Sequence, residues 1–188
     1  VKTLTIECSS GTGSIAATEG DRHFFSLDFA NPRGRGVEFF AALKEAATRC
    51  PDFAQVLVGT GPGSYNGLRA SIAAAWGLAK ARGANLKGIP SVFGYDEPEY
   101  FVIGDARAGQ WFFAHIRQGA LEAPIELLTP EQATARLATG LPVFSTSQLL
   151  DSACYKAPQA RFLARHLDQS GPAEPIYLKP PHITKSAA

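Results

Sequence analysis

Short apolar runs parted by turn residues open the chain. TLTIEC (residues 3–8) has strand character, SSGTG supplies a turn, and SIAAT resumes as a second strand. After EGD, the aromatic-rich HFFSLDF reads as a third, so the first 30 residues predict an antiparallel meander. Beyond the loop ANPRGRG the period changes. In VEFFAALKEAATRC, Phe39, Leu43 and Ala46 fall near one face at helical spacing, and Pro51 stops the helix. AQVLVGT is a short buried strand. An alanine-rich helix then runs from Ser64 to Arg82 and ends at Gly83, a residue suited to a left-handed terminator. NLKGIPS is a further short strand. The order β-β-β-α-β-α-β predicts an α/β fold with a mixed sheet and crossover helices on it.

Around GYDEPEY the texture changes, which predicts a boundary near residue 92 and two lobes, 1–91 and 92–188. YFVIGDARAGQWFFAHIRQG reads as a second hairpin with its turn at DARAGQ. In LLTPEQATARLATG, Thr129 fits the N-cap, Pro130 the first helical position, and Gln132 completes a capping box. LPVFS is a strand. PQARFLARHLDQSGP predicts one helix closed by Gly171 and Pro172, and PIYLKPPHITK an extended tail. A hairpin followed by α/β elements thus occurs twice, and the order of elements suggests tandem lobes.

Composition changes this picture little. The chain has 188 residues, 45% hydrophobic and 19% charged, in the range of globular proteins. Its apolar stretches are broken well short of the ~20 residues a membrane helix needs, and the opening VKTLTIECSS reads as a strand, not a signal peptide. A net charge of +1 predicts no diffuse attraction to nucleic acid. Arg33 and Arg35 read as part of a solvated loop, with a local basic patch as the alternative. Three widely spaced cysteines, Cys8, Cys50 and Cys154, predict neither a disulfide framework nor a zinc site, and a reducing cytoplasm is the simplest compartment.

The candidate chemistry lies in VLVGTGPGSYNGLRAS, residues 56–71, where a strand runs through glycines into a helix. A P-loop needs Lys and Ser/Thr after its last glycine, but Gly67 is followed by Leu68 and Arg69. The dinucleotide fingerprint fails at Asn66, and Pro62 removes a backbone donor. Gly59, Gly61, Pro62, Gly63, Ser64, Tyr65 and Gly67 therefore form a loop whose simplest role is to start a helix. No G-x-S-x-G nucleophile elbow occurs. His23, His115, His166 and His182 lack metal-ligand spacing, and no metal or cofactor is expected.

The following helix carries two stripes. Leu68, Ile72, Trp76 and Ala79 recur at helical spacing and are expected to face the core. Ala70, Ala74, Gly77 and Ala81 form a ridge of almost no side-chain volume, which suits close packing by a second helix, in the same chain or in another. Arg69 lies in the first turn, where the helix dipole opposes a positive charge. A carboxylate of this chain or of a partner, or an RNA phosphate, is expected to compensate it.

GTGPGSYNGLR followed by GLAKA and GIPS resembles the signature of the TsaB family. TIECSS, GDARAGQWFFAHI and PIYLKPP extend the resemblance along most of the chain. The resemblance implies an actin-like ATPase (ribonuclease H-like) fold of two tandem lobes with mixed sheets. It further implies a non-catalytic subunit in the biosynthesis of N6-threonylcarbamoyladenosine in transfer RNA. Such a subunit is a docking scaffold for a TsaD-like catalytic subunit, joined by a TsaE-like ATPase, and a homodimer when alone. Transfer RNA is met only through the complex. The implied interface comprises Phe39, Leu43, Arg69, Ala70, Ala73, Ala74, Gly77 and Ala81. Glu7, Ser9 and Ser10 stand where the nucleotide motif is degenerate: Glu7-Cys8-Ser9 replaces the family's Asp-Thr-Ser, and Ser9 a glycine of actin-like ATPases. Asn66 replaces a loop threonine, and the connector FGYDEPEY is short for the family. The competing readings are a small actin-fold phosphotransferase using Glu7 and the loop, and a peptidase.

Overall fold

The computed structural model describes residues 1–31, 36–137 and 140–179. The basic loop with Arg33 and Arg35 and the end of the tail with His182 lie outside the described residues. Three strands, β1 (Lys2–Glu7), β2 (Thr12–Glu19) and β3 (Arg22–Ala30), form the antiparallel meander. Helix α1 (Val37–Arg49) crosses to β4 (Gln55–Gly59), parallel to β1. Helix α2 (Tyr65–Arg82) then crosses to β5 (Asn85–Ile89), parallel to β4. The sheet order is β3-β2-β1-β4-β5, the ribonuclease H-like arrangement.

Central β1 is buried on both faces, as a strand flanked on each side must be. Leu4 and Ile6 meet Ile15, Val56 and Val58 under the two helices, which contribute Phe39, Ala42 and Ala46 from α1 and Ile72, Ala75 and Ala79 from α2. Strand alternation sends Thr3, Thr5 and Glu7 to the opposite face. There the chain continues through a short 3-10 turn at Ser91–Phe93.

The second sheet starts with the expected hairpin, β6 (Glu99–Asp105) and β7 (Trp111–Arg117). Strands β8 (Ala120–Leu121) and β9 (Glu126–Leu128) pair with β7, and α3 (Pro130–Arg136) begins with the complete capping box at Thr129 and Gln132. β10 (Val143–Ser145) lies parallel to β6, and β11 (Cys154–Tyr155) parallel to β10. Strands β8, β9 and β11 are two or three residues long, too short for a period to reveal. Between the sheets, Leu57 and Ile89 of the first join Val102, Phe112 and Phe144 of the second through Val92, Phe93 and Tyr95 of the connector.

The helix expected over 158–172 is instead α4 (Ala160–Leu163) and a separate 3-10 turn at Leu167–Gln169. Buried Ala160 and Leu163 hold α4 on the core, where the Ala160 N–H donates to Ser14 Oγ at 2.8 Å. His166 then leaves helical geometry, at φ −114° and ψ 41°, and sets its ring 5.3 Å from Phe93. The tail runs extended. Gly171 and Gly88 exchange two 2.8 Å backbone bonds, and the Ile176 N–H donates to the Thr60 carbonyl at 2.8 Å. The tail so covers the outer edge of β5.

Candidate functional site

The Gly-rich loop joins β4 to α2. Ser64 is the N-cap, its Oγ accepting the Gly67 N–H at 3.3 Å, and its own N–H donates to the Ser9 carbonyl at 2.7 Å. Gly61 sits at φ +94°, a conformation that favours glycine, and the Gly61–Pro62 peptide is cis. A Cβ at Gly63 would overlap the Ser9 carbonyl, one at Gly67 the Cys8 carbonyl, and one at Gly59 the Glu7 carboxylate. The loop's missing side chains thus make room for the end of β1 and the turn after it.

Glu7 is fully buried. Its Oε1 accepts the Ser9 N–H at 2.5 Å, and its Oε2 accepts the Ser91 hydroxyl at 2.7 Å. Ser91 Oγ in turn accepts the Gly61 N–H at 3.0 Å. Burial pushes the Glu7 carboxyl above its ordinary range, against the pull of the Ser9 and Ser91 hydrogen bonds. Ser10 turns away and donates to the Thr12 carbonyl at 2.7 Å. It lines a cleft of about 290 Å³ toward the second sheet, with Thr12, Thr146, Tyr155, Lys156 and Gln159 among the walls. Among the described residues, no three His, Cys, Asp or Glu side chains gather as a metal site would need.

On α2 the buried stripe is Leu68, Ser71, Ile72, Ala75 and Ala79. Trp76, expected in the core, is 60% exposed. Eight helical steps of 100° carry it about 80° round from Leu68, past the edge of the stripe. Ala70, Ala73, Gly77 and Ala81 are exposed, whereas Ala74 is half-buried against the core. A Cβ at Gly77 would meet nothing within 4 Å, so none of the described residues packs on the ridge there. On α1, Leu43 is half-buried and Phe39, expected at the interface, is 3% exposed because its ring packs under the sheet. The exposed aromatic is Phe40, at 56%.

Arg69 finds no carboxylate among the described residues. Its Nη1 donates to the Tyr65 hydroxyl at 2.9 Å, with the guanidinium 5.2 Å from the Tyr65 ring centroid. Tyr65 leans on Tyr177 of the tail at 5.5 Å. Sequence reasoning missed Ser91, Phe40 and Tyr177. Phe40 was within reach, since of two adjacent helical aromatics one must lie 100° from the other. Ser91 and Tyr177 act on partners 84 and 112 positions away (91 − 7 and 177 − 65), which the motifs GIPS and PIYLKPP that contain them do not name.

Residues 38–115, from α1 to β7, match the family model described as TsaD, tRNA N6-adenosine threonylcarbamoyltransferase. No curated protein matches the chain. Among solved structures, YeaZ from Pseudomonas aeruginosa is 19% identical, with 94% of this chain covering 99% of that one at a TM-score of 0.73. A second, described as an uncharacterized protein with similarity to peptidase YeaZ from Pseudomonas aeruginosa, is 18% identical, with 95% of this chain covering 99% of that one at 0.75. At this identity the likeness is one of fold. Residues 38–115 are therefore similar to the TsaD family model, and nearly the whole chain has the fold of YeaZ.

Proposed function

We propose that the chain is a non-catalytic subunit of the machinery that makes N6-threonylcarbamoyladenosine in transfer RNA. Its role is to dock a TsaD-like catalytic subunit, with a TsaE-like ATPase joining the assembly and tRNA met through the complex. The observation that carries this reading is the open small-residue face of α2, bordered on the same helix by exposed Trp76, with Phe40 exposed on α1. A facing helix approaches such a surface closely, and large aromatics at its border supply anchors. The same face serves a homodimer when the partner is absent. The non-catalytic role is supported by the Gly-rich loop and Glu7. The loop is packed by the chain's own backbone, and both Glu7 oxygens are already engaged. The TsaD-family segment and the YeaZ fold support the pathway.

The test is co-purification with a TsaD-like protein from the same organism, for the wild-type chain and for Gly77→Leu. Because Gly77 is exposed mid-helix, leucine there should raise stability by up to about 1 kcal/mol through helix propensity. At a close-packed interface the four added carbons cost about 1–3 kcal/mol, which weakens association roughly ten- to a hundred-fold. Unimpaired binding by a well-folded Gly77→Leu variant would sink the docking face. A wild-type chain that ignores every TsaD-like partner would sink the function.

A further inference from the structure

The group left over by the docking reading is Glu7. A carboxylate with no exposed surface is costly unless its oxygens find donors. Here they find two, the Ser9 N–H and the Ser91 hydroxyl. Ser91 accepts from the Gly61 N–H and so has its single proton free for Glu7. Both carboxyl oxygens therefore act as acceptors. The space is shaped for the group as well, because a side chain at Gly59 would collide with Oε2. Three segments meet at this one side chain: the turn after β1, the Gly-rich loop and the start of the inter-lobe connector. The Ser91 N–H ties the last two again by donating to the Gly61 carbonyl at 2.7 Å.

We propose that Glu7 is the chain's own ligand for a buried donor cradle made by the Ser9 N–H and the Ser91 hydroxyl. It fastens β1, the Gly-rich loop and the connector through its hydrogen-bonded carboxyl group, and a compact carboxylate is the class of external ligand that this cradle accepts once the side chain is cut back. The titratable groups that feel its charge are Tyr95 on the connector and Cys8, next in the chain with its side chain in the cluster under the helices. Burial pushes both upward, so they stay neutral beside the carboxylate. Tyr95 directs its hydroxyl away, to the Lys156 carbonyl at 3.2 Å. This clasp stands independently of the docking reading, since it concerns the opposite face of the sheet from the α1–α2 layer.

Glu7→Ala removes a methylene and a carboxylate, the size of acetate. The experiment is thermal melting of wild type, Glu7→Ala and Glu7→Ala/Ser91→Ala in sodium acetate against sodium chloride at matched ionic strength. A ligand that binds the folded state raises its melting temperature. Glu7→Ala should melt below wild type and recover part of the loss in acetate. Wild type should not move, and the double variant should respond less. Equal acetate shifts in wild type and Glu7→Ala, or none in Glu7→Ala, would overturn the proposal. If Glu7→Ala does not fold, Ser91→Ala reads the same contact. Its stability deficit against wild type should grow from acid to neutral pH, as the carboxylate that needs the hydroxyl ionises. A deficit of one size at every pH would overturn it.

Discussion

Glu7 sets the chain's dependence on pH at the scale of one residue. Its folded-state pKa lies above the ordinary 4.5 because burial outweighs the Ser9 and Ser91 hydrogen bonds. The unfolded chain releases this proton at lower pH than the folded chain. Between the ordinary carboxylate range and the raised folded pKa, the folded state holds more protons. The stabilisation from this group is therefore full below that window and is lost as pH rises through it. Glu7→Gln should abolish this component, so that the urea midpoint of the variant gains on wild type as pH rises through the window. A midpoint difference that stays constant across it would mean that Glu7 does not titrate as argued. At Arg69, of the three anions that helix-dipole reasoning allowed, the carboxylate of this chain is not found among the described residues, and the guanidinium meets the hydroxyl and ring of Tyr65 one turn earlier.

At the scale of elements, caps and stops written into the sequence hold where the local chain supplies both partners. α3 is the clearest case. The Thr129 hydroxyl accepts the Gln132 N–H at 3.3 Å, and the Gln132 side chain accepts the Thr129 N–H at 3.0 Å. Thr129→Ala should cost about 1 kcal/mol, read by chemical denaturation. A change within error would mean that packing of Ala133, not the cap, starts the helix. α2 likewise begins at its Ser64 cap and ends at left-handed Gly83. α4 behaves differently. Its apolar pattern could continue through Ala164, yet His166 turns aside onto Phe93, a residue distant in sequence. Tertiary packing ends that helix.

For the whole molecule, the tail is the return connection from the second sheet to the first. A chain ending at Ser170 loses the two Gly88–Gly171 bonds and the Ile176–Thr60 bond. At about 1 kcal/mol each, truncation should cost about 3 kcal/mol. The bared edge of β5 should also promote association. Equilibrium unfolding and light scattering read the two effects, and an unchanged midpoint would show that the strap is only laid against the sheet. By itself the sequence determined the meander, the two crossover helices, the second hairpin and the caps at Gly83 and Thr129. Each of these depends on a period or a turn signal spanning a few neighbouring residues. It also located the Gly-rich loop and the small-residue ridge, since glycine and alanine are visible wherever they stand. Only the tertiary structure decided what those glycines accommodate, that the ridge faces outward, and that Trp76 and Phe40 are exposed while Phe39 is buried. It alone joined Glu7 to Ser91 and Tyr177 to Tyr65. Burial and long-range contacts are properties of the packed chain, and neither a run of apolar residues nor a single polar one carries the identity of its distant partner.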